Sequence, residues 1–444
     1  MNDLRGNPIS TRCGAAAEAT ERALWRMMSF YGTPLDDLDA AARADPAWLL
    51  PPLMKAGFLL SLTEPALVND AIALLAQADA LAAGAHARER DHLHALRRLA
   101  AGDWHGARHD WEALLLRHPR DALALQWAHL FDFYQGDANQ LRQRVARVLP
   151  EWDESDPLHP YALGLLAFGL EECNLYAQAE ETGRRALSGD AKVPWAIHAV
   201  AHVMEMQGRF DEGRAWMAKW RPDWVQGNGF AGHLGWHQAL FALESLDHAE
   251  ALRVFDEHLR ADPAQITLQR LDAAALLWRL HLVGADVGAR WRELAAGWDV
   301  GEARAGHSAF NDLHALLALI GAHDLAGARR WLASAGRCAE TASGLTHANH
   351  KIARDIGLPL MRGMLAFAEG RWDDAIDTLY PVRAAAQRLG GSHAQRDLID
   401  QTLLAAACNA PHAALLRALL NERRFGKAQT PLTGYWAQRG AQPG

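Results

Sequence analysis

The amino-acid sequence predicts an all-α fold built from stacked helical hairpins. Three observations predict it. Alanine, leucine, arginine and glutamate dominate, whereas β-branched residues are sparse and few stretches alternate with period two. Helical runs of about 12–18 residues are broken by short Gly, Asp or Pro turns. One turn also recurs along most of the chain: a small or acidic residue, then an aromatic or leucine, then an alanine or glycine that opens a second helix.

In order, the elements begin with residues 1–84, which lack that turn. This segment reads as a helix around Gly14–Tyr31, then PLDDLDAAARADPAW, then a helical pair, and is expected to form an N-terminal cap. The repeats follow, from about residue 85 to 425. Their turns are GDWHGARHDW (Gly102–Trp111), NLYAQAEETG (Asn174–Gly183), GRFDEGRAWM (Gly208–Met217), SLDHAEALRVF (Ser245–Phe255), GADVGARWREL (Gly284–Leu294), HDLAGARRWL (His323–Leu332) and GRWDDAIDTL (Gly370–Leu379). A degenerate copy, Gly136–Val145, fills the long gap between the first two. Most spacings are about 34–40 residues, the tetratricopeptide range and slightly beyond.

The small residues Ala107, Ala179, Gly213, Ala249, Ala289, Ala328 and Ala375 are expected where two antiparallel helices approach closely. A single hairpin cannot bury its own apolar face, so neighbours stack. The prediction is a right-handed tetratricopeptide-like α-solenoid of about nine hairpins. Residues 426–444, containing AQTPLTGYWAQRGAQPG, read as a loose tail.

Of the 17 tryptophans, Trp104 and Trp372 fall at turns and Trp111, Trp216, Trp291 and Trp331 on second helices. Packing between hairpins is the expected use of most of them.

The chain of 444 residues is half apolar and carries a net charge of −8. That balance argues against nucleic-acid and anionic-membrane partners, which need a basic patch. The cysteines Cys13, Cys173, Cys338 and Cys408 are far apart, as suits free thiols in a reducing cytoplasm. MNDLRGNPIS lacks the apolar core of a secretory signal. The stretch AWLLPPLMKAGFLLSL is broken by Pro51, Pro52 and Lys55 and reads as a buried helix pair. No P-loop, GxSxG or CxxC pattern is present.

The 22 histidines are the unusual count. Most informative is a local duplication in which PWAIHAVAHVMEMQGRF aligns with GFAGHLGWHQALFALESL. Trp195 falls on Phe230, His198 on His233 and His202 on His237, an offset of 35 residues. Each copy is an H-x-x-x-H on a first helix, so both rings share one face, and Glu205 joins the first pair. Adjacent first helices lie about 10 Å apart, so four histidines and a carboxylate are expected to converge.

A further step of 35 reaches Asp272, and Arg279 lies two turns along the same face. Other first helices present Glu171 and Glu172; Asn311, Asp312 and His314; and His393, Gln395, Arg396 and Asp397. His347 and His350 are expected to cover the cavity. His105, His109, His118, His248, His258 and His323 read as solvated surface, and His92 and His94 are ambiguous. Cys173 follows two carboxylates, which raise a thiol's pKa rather than activate it.

Three readings of this constellation compete. The four histidines His198, His202, His233 and His237 with carboxylates are good ligands for a divalent metal, although H-E-x-x-H is absent. Metal-free acid–base chemistry is the second. There His202 or His237 acts as base, Glu205 or Asp272 orients the ring, and Arg279 or Arg396 holds an anion. The third is a satisfied polar network with no chemistry.

The stretches WAIHAVAHVMEMQGRFDEG, HLGWHQALFALE, LDAAALLWRLHLVGADVGARW, FNDLHALLALIGAHD, ARDIGLPL and GGSHAQRD resemble the tetratricopeptide repeat protein 38 family, over nearly the whole chain. The resemblance implies an all-helical tetratricopeptide-like fold and a soluble protein, and it brings no activity with it. His393 stands where GGSNAQRD would also fit the family pattern, so Arg396 is the firmer site member.

The functional expectation is a pocket that takes a small molecule or peptide end. Catalytic candidates are His202, His237, Glu205 and Asp272; binding candidates are His198, His233, Arg279, Asp312, His314, Arg396 and Asp397. A divalent metal ion and hydrolytic chemistry are left open, as is the oligomeric state. The alternative is a non-catalytic interaction scaffold.

Overall fold

A computed structural model describes residues 1–441 except 261, 263–264, 300, 302–303, 342–347 and 428–429. Among them the fold is all-α; the only extended pairings are the isolated bridges Asn2–Pro8 and Tyr31–Asn228. The chain forms two compact units. The first comprises Met1–Val200, Pro222–Phe230 and Leu345–Ala348; the second comprises Ala201–Arg221, Ala231–Gly344 and Asn349–Gly444.

The first unit opens with helices Gly14–Ser29, Leu35–Ala44, Leu50–Ser61 and Val68–Leu81. Hairpins follow: Ala87–Ala100 with Trp104–Arg117, Ala122–Tyr134 with Ala138–Val148, and His159–Glu172 with Tyr176–Gly189. The second unit repeats the plan. Its pairs include Ala231–Glu244 with His248–His258, Thr267–Leu282 with Arg290–Ala296, Ala309–Gly321 with Leu325–Glu340, Leu358–Ala368 with Trp372–Val382, and His393–Asn409 with Ala413–Gly426. These are tetratricopeptide-like hairpins.

The recurring turn has a backbone cause. One residue takes the left-handed conformation, and the next amide reaches back five residues to close the first helix. Gly102 has φ 82°, and the Asp103 amide donates to the Arg98 carbonyl at 2.9 Å. Where glycine is missing, Asn174, Leu246 and His323 adopt φ of 61°, 60° and 64°. The acidic residue that follows is the N-cap of the second helix: Asp103, Asp137, Asp247 and Asp324 each accept from an amide of the first turn.

Close packing explains the small residues after the cap. Ala107, Ala179, Gly213, Ala328 and Ala375 are buried. Ala249 and Ala289 are exposed, against expectation, and the buried alanine of the Ser245 turn is Ala251. Ala251 is the fourth residue after the Asp247 cap, as Ala107 and Ala328 are after Asp103 and Asp324, so the packed face keeps its place relative to the cap. A Cβ on Gly213 would stand 2.3 Å from the Phe241 ring. Gly213→Ala is therefore expected to lower stability by about 1–3 kcal/mol in urea denaturation, despite alanine's higher helix propensity. An unchanged midpoint would show that the ring yields freely.

Trp104, Trp111, Trp216, Trp291 and Trp331 are buried, and Trp104 meets Phe131 edge-on at 5.1 Å. His258 is a correction: its side chain is only 7% exposed and lies over Gly235. The C-terminal segment is another. Pro431–Arg439 is a helix whose Leu432, Thr433 and Trp436 are buried. His347 lies outside the described residues. One stretch, Pro65–Gly84, is long and apolar enough to cross a membrane by length and composition. It packs on the first unit through Ala71, Leu75 and Ala78.

Candidate functional site

The polar core of the second unit is assembled by four helices and the chain after Gly426. The Pro194–Met206 helix supplies His202 and Glu205, Ala231–Glu244 supplies His233 and His237, Thr267–Leu282 supplies Asp272 and Arg279, and His393–Asn409 supplies Gln395. Spacing of three and four residues puts His202 beside Glu205 and His233 beside His237, each pair on one helix face.

The three rings meet. Those of His202 and His237 are 4.4 Å apart between centroids, and those of His233 and His237 are 4.9 Å apart. One ring nitrogen from each of the three lies within 4.8 Å of the others'. Two rings are seated on carboxylates: His237 Nδ1 lies 3.2 Å from Glu205 Oε2, and His233 Nδ1 lies 2.7 Å from Asp272 Oδ2. Asp272 is itself held by Gln395, whose Nε2 donates to Oδ1 at 3.3 Å.

Behind Glu205 runs a chain of buried charges. Lys427 Nζ lies 3.5 Å from Glu205 and 3.1 Å from Glu244. Arg423 joins Glu244 at 2.8 Å to Asp397 at 2.9 Å. Burial opposes ionisation of Glu205, but the Lys427 ammonium and the His237 ring override it and hold the carboxyl at about 2. Burial, reinforced by the neighbouring His202 ring, pushes His237 down to about 3 despite its bond to Glu205, so the ring is neutral at ordinary pH.

His202, Glu205, His233, His237 and Asp272 thus converge. The other candidates make further contacts. His198, one turn before His202, belongs to the first unit, its ring 5.0 Å from Phe168, 5.3 Å from Trp195 and 5.1 Å from Phe230. Arg279 is fully buried and spends its guanidinium on the carbonyls of Ala275, Ala394 and Gln395, at 2.9, 2.5 and 3.2 Å, with Trp236 beneath it at 5.5 Å. It ties two helices together and, among the described residues, faces no carboxylate within ion-pair distance. Arg396 donates to the Gly391 carbonyl. Asp397 is taken by Arg423 and Gln401. Asp312 accepts from the Gly306 amide, and His314 Nδ1 pairs with the Phe310 carbonyl at 2.8 Å.

Sequence reasoning missed Glu244, Lys427 and Arg423. Glu244 was within reach, for it lies seven residues beyond His237, the same two-turn step that links Asp272 to Arg279. Lys427 and Arg423 follow no repeat and carry no such signal. In the first unit, buried His92 pairs with Asp121 at 3.0 Å beside Arg88, and buried His129 contacts the Leu165 carbonyl at 3.1 Å.

No family model matches the chain. Among solved structures, the crystal structure of the yeast Tom70 aligns with 96% of this chain and 87% of its own, at 12% identity and a TM-score of 0.37. A likeness of that size carries nothing about a site.

Proposed function

We propose that the polar core of the second unit is a ligand site for a small molecule or a peptide end, equipped for hydrolytic acid–base chemistry. The observation that supports it best is the pair of imidazole–carboxylate couples, His237–Glu205 and His233–Asp272. In each, Nδ1–H points at the carboxylate, which leaves the lone pair on Nε2 as the base. His237 is a neutral base, and Glu205 or Asp272 stabilises the imidazolium formed on proton uptake. We also propose a cytoplasmic setting, from the four unpaired cysteines, and kinship with the tetratricopeptide repeat protein 38 family, from the stretches quoted above.

The complete burial of His202 and His237 favours a second reading, a packed polar network in a non-catalytic interaction scaffold. A thermal-shift screen of small acids, amides and short peptides separates the two. Wild type is expected to show ligand-dependent shifts that the His202→Ala, His237→Ala double variant lacks. Equal shifts in both proteins remove these histidines from binding.

A further inference from the structure

We infer that His202, His233 and His237 form a three-histidine site for one divalent transition-metal ion of the zinc class. Three features of the second unit carry this, and it goes beyond the proposed acid–base reading by naming a cofactor.

The first feature is donor identity. Three imidazoles are the ligand set of choice for zinc and its neighbours in the transition series, and such a set leaves a fourth position for water or substrate. The second is proximity. Zn–N bonds of about 2.0–2.1 Å in a tetrahedron place nitrogens about 3.4 Å apart. The three nitrogens here lie within 4.8 Å of one another, so closure needs shifts of about 1 Å in the rings.

The third feature is the shell behind the ligands. A metal-bound histidine typically donates its other N–H to a carboxylate, which fixes the tautomer and aims the ring. Glu205 does this for His237 and Asp272 does it for His233, and each carboxylate is gripped in turn by Lys427 or Gln395.

The test uses the full chain, stripped with a chelator, dialysed against zinc chloride and analysed for metal, with affinity from calorimetry. Wild type is expected to hold one equivalent. His202→Ala and His237→Ala are expected to lose it. Glu205→Gln, which keeps the three ligands, is expected to weaken zinc roughly 10–100-fold. His94→Ala, at an exposed ring in the first unit, is expected to bind as wild type does. Zinc-free wild type after dialysis overturns the inference without any variant, and so does a full equivalent retained by His237→Ala. If the alanine variants do not fold, as judged by circular dichroism, His233→Gln reads the same loss at the least buried of the three rings. A ligand-induced shift that persists in chelator, with no zinc uptake by wild type, sinks the metal and leaves the proposed function standing. Zinc uptake with no ligand response in any screen does the reverse.

Discussion

Asp312→Asn is expected to stabilise the protein at pH 8 and to change little at pH 4. The carboxyl sits at the start of the Ala309–Gly321 helix, buried, facing the Gly306 amide at 3.1–3.2 Å. Burial raises it to about 8, because one backbone donor cannot replace the water that a carboxylate gives up. Folding therefore takes up a proton between the ordinary carboxyl value of 3.8 and about 8. The native state binds more protons than the unfolded chain across that window, so stability falls as pH rises, by about 1.4 kcal/mol per unit. Asparagine is a near-isostere of the neutral acid and carries no such slope. The gain grows from pH 4 upward and reaches several kcal/mol, on the order of 3–5, at pH 8. Urea denaturation of both proteins from pH 5 to 8 checks it. Destabilisation by Asp312→Asn at pH 8 would mean that the ionised form, with its Gly306 bonds, is the native one.

The hairpin repeat was legible because its turns obey local chemistry: a left-handed residue, an aspartate cap and a small residue at close approach are all written within ten positions. The slips came from the same source. Ala249 and Ala251 are both alanines, and only the helix start decides which faces the neighbour. For the site, the offset of 35 between His202 and His237 was enough to find the meeting of two helices, since repeats superpose equivalent faces. What the offset could not show is what lies behind Glu205. Lys427 comes from a segment without repeat or periodicity, and its position follows from Trp436 and Leu432 burying themselves in the second unit's core. Nor does sequence separate an arginine that clamps a ligand from one such as Arg279, which serves main-chain carbonyls of its own helix and a neighbouring one.

The protein is also expected to lose stability steeply below about pH 6, through histidines that fold in the neutral form. Burial pushes His129 to about 3, His237 to about 3 and His314 to about 4, against the ordinary value of 6.5. For each, a backbone carbonyl or carboxylate partner recovers only part of the lost hydration. Below pH 6.5 the unfolded chain binds these protons and the native state does not, so stability falls as pH falls, by about 1.4 kcal/mol per unit for each ring. At pH 5 the three together cost roughly 6 kcal/mol, and Asp312, whose slope runs the other way, returns about 2. The remainder, about 4 kcal/mol, is a large part of the ordinary stability of a folded domain. Stability should therefore peak between about pH 6 and 7, where the Asp312 and histidine slopes cross. His129 belongs to the first unit and His237 and His314 to the second, so both are weakened by acid. His314→Gln and His129→Gln should each flatten the acid limb by about one proton, read as the slope of unfolding free energy against pH between 5 and 6.5. Limbs as steep as wild type in both variants would mean that these rings are protonated in the native state. Asp312→Asn should make the acid limb steeper, because it removes a group whose slope opposes that of the histidines.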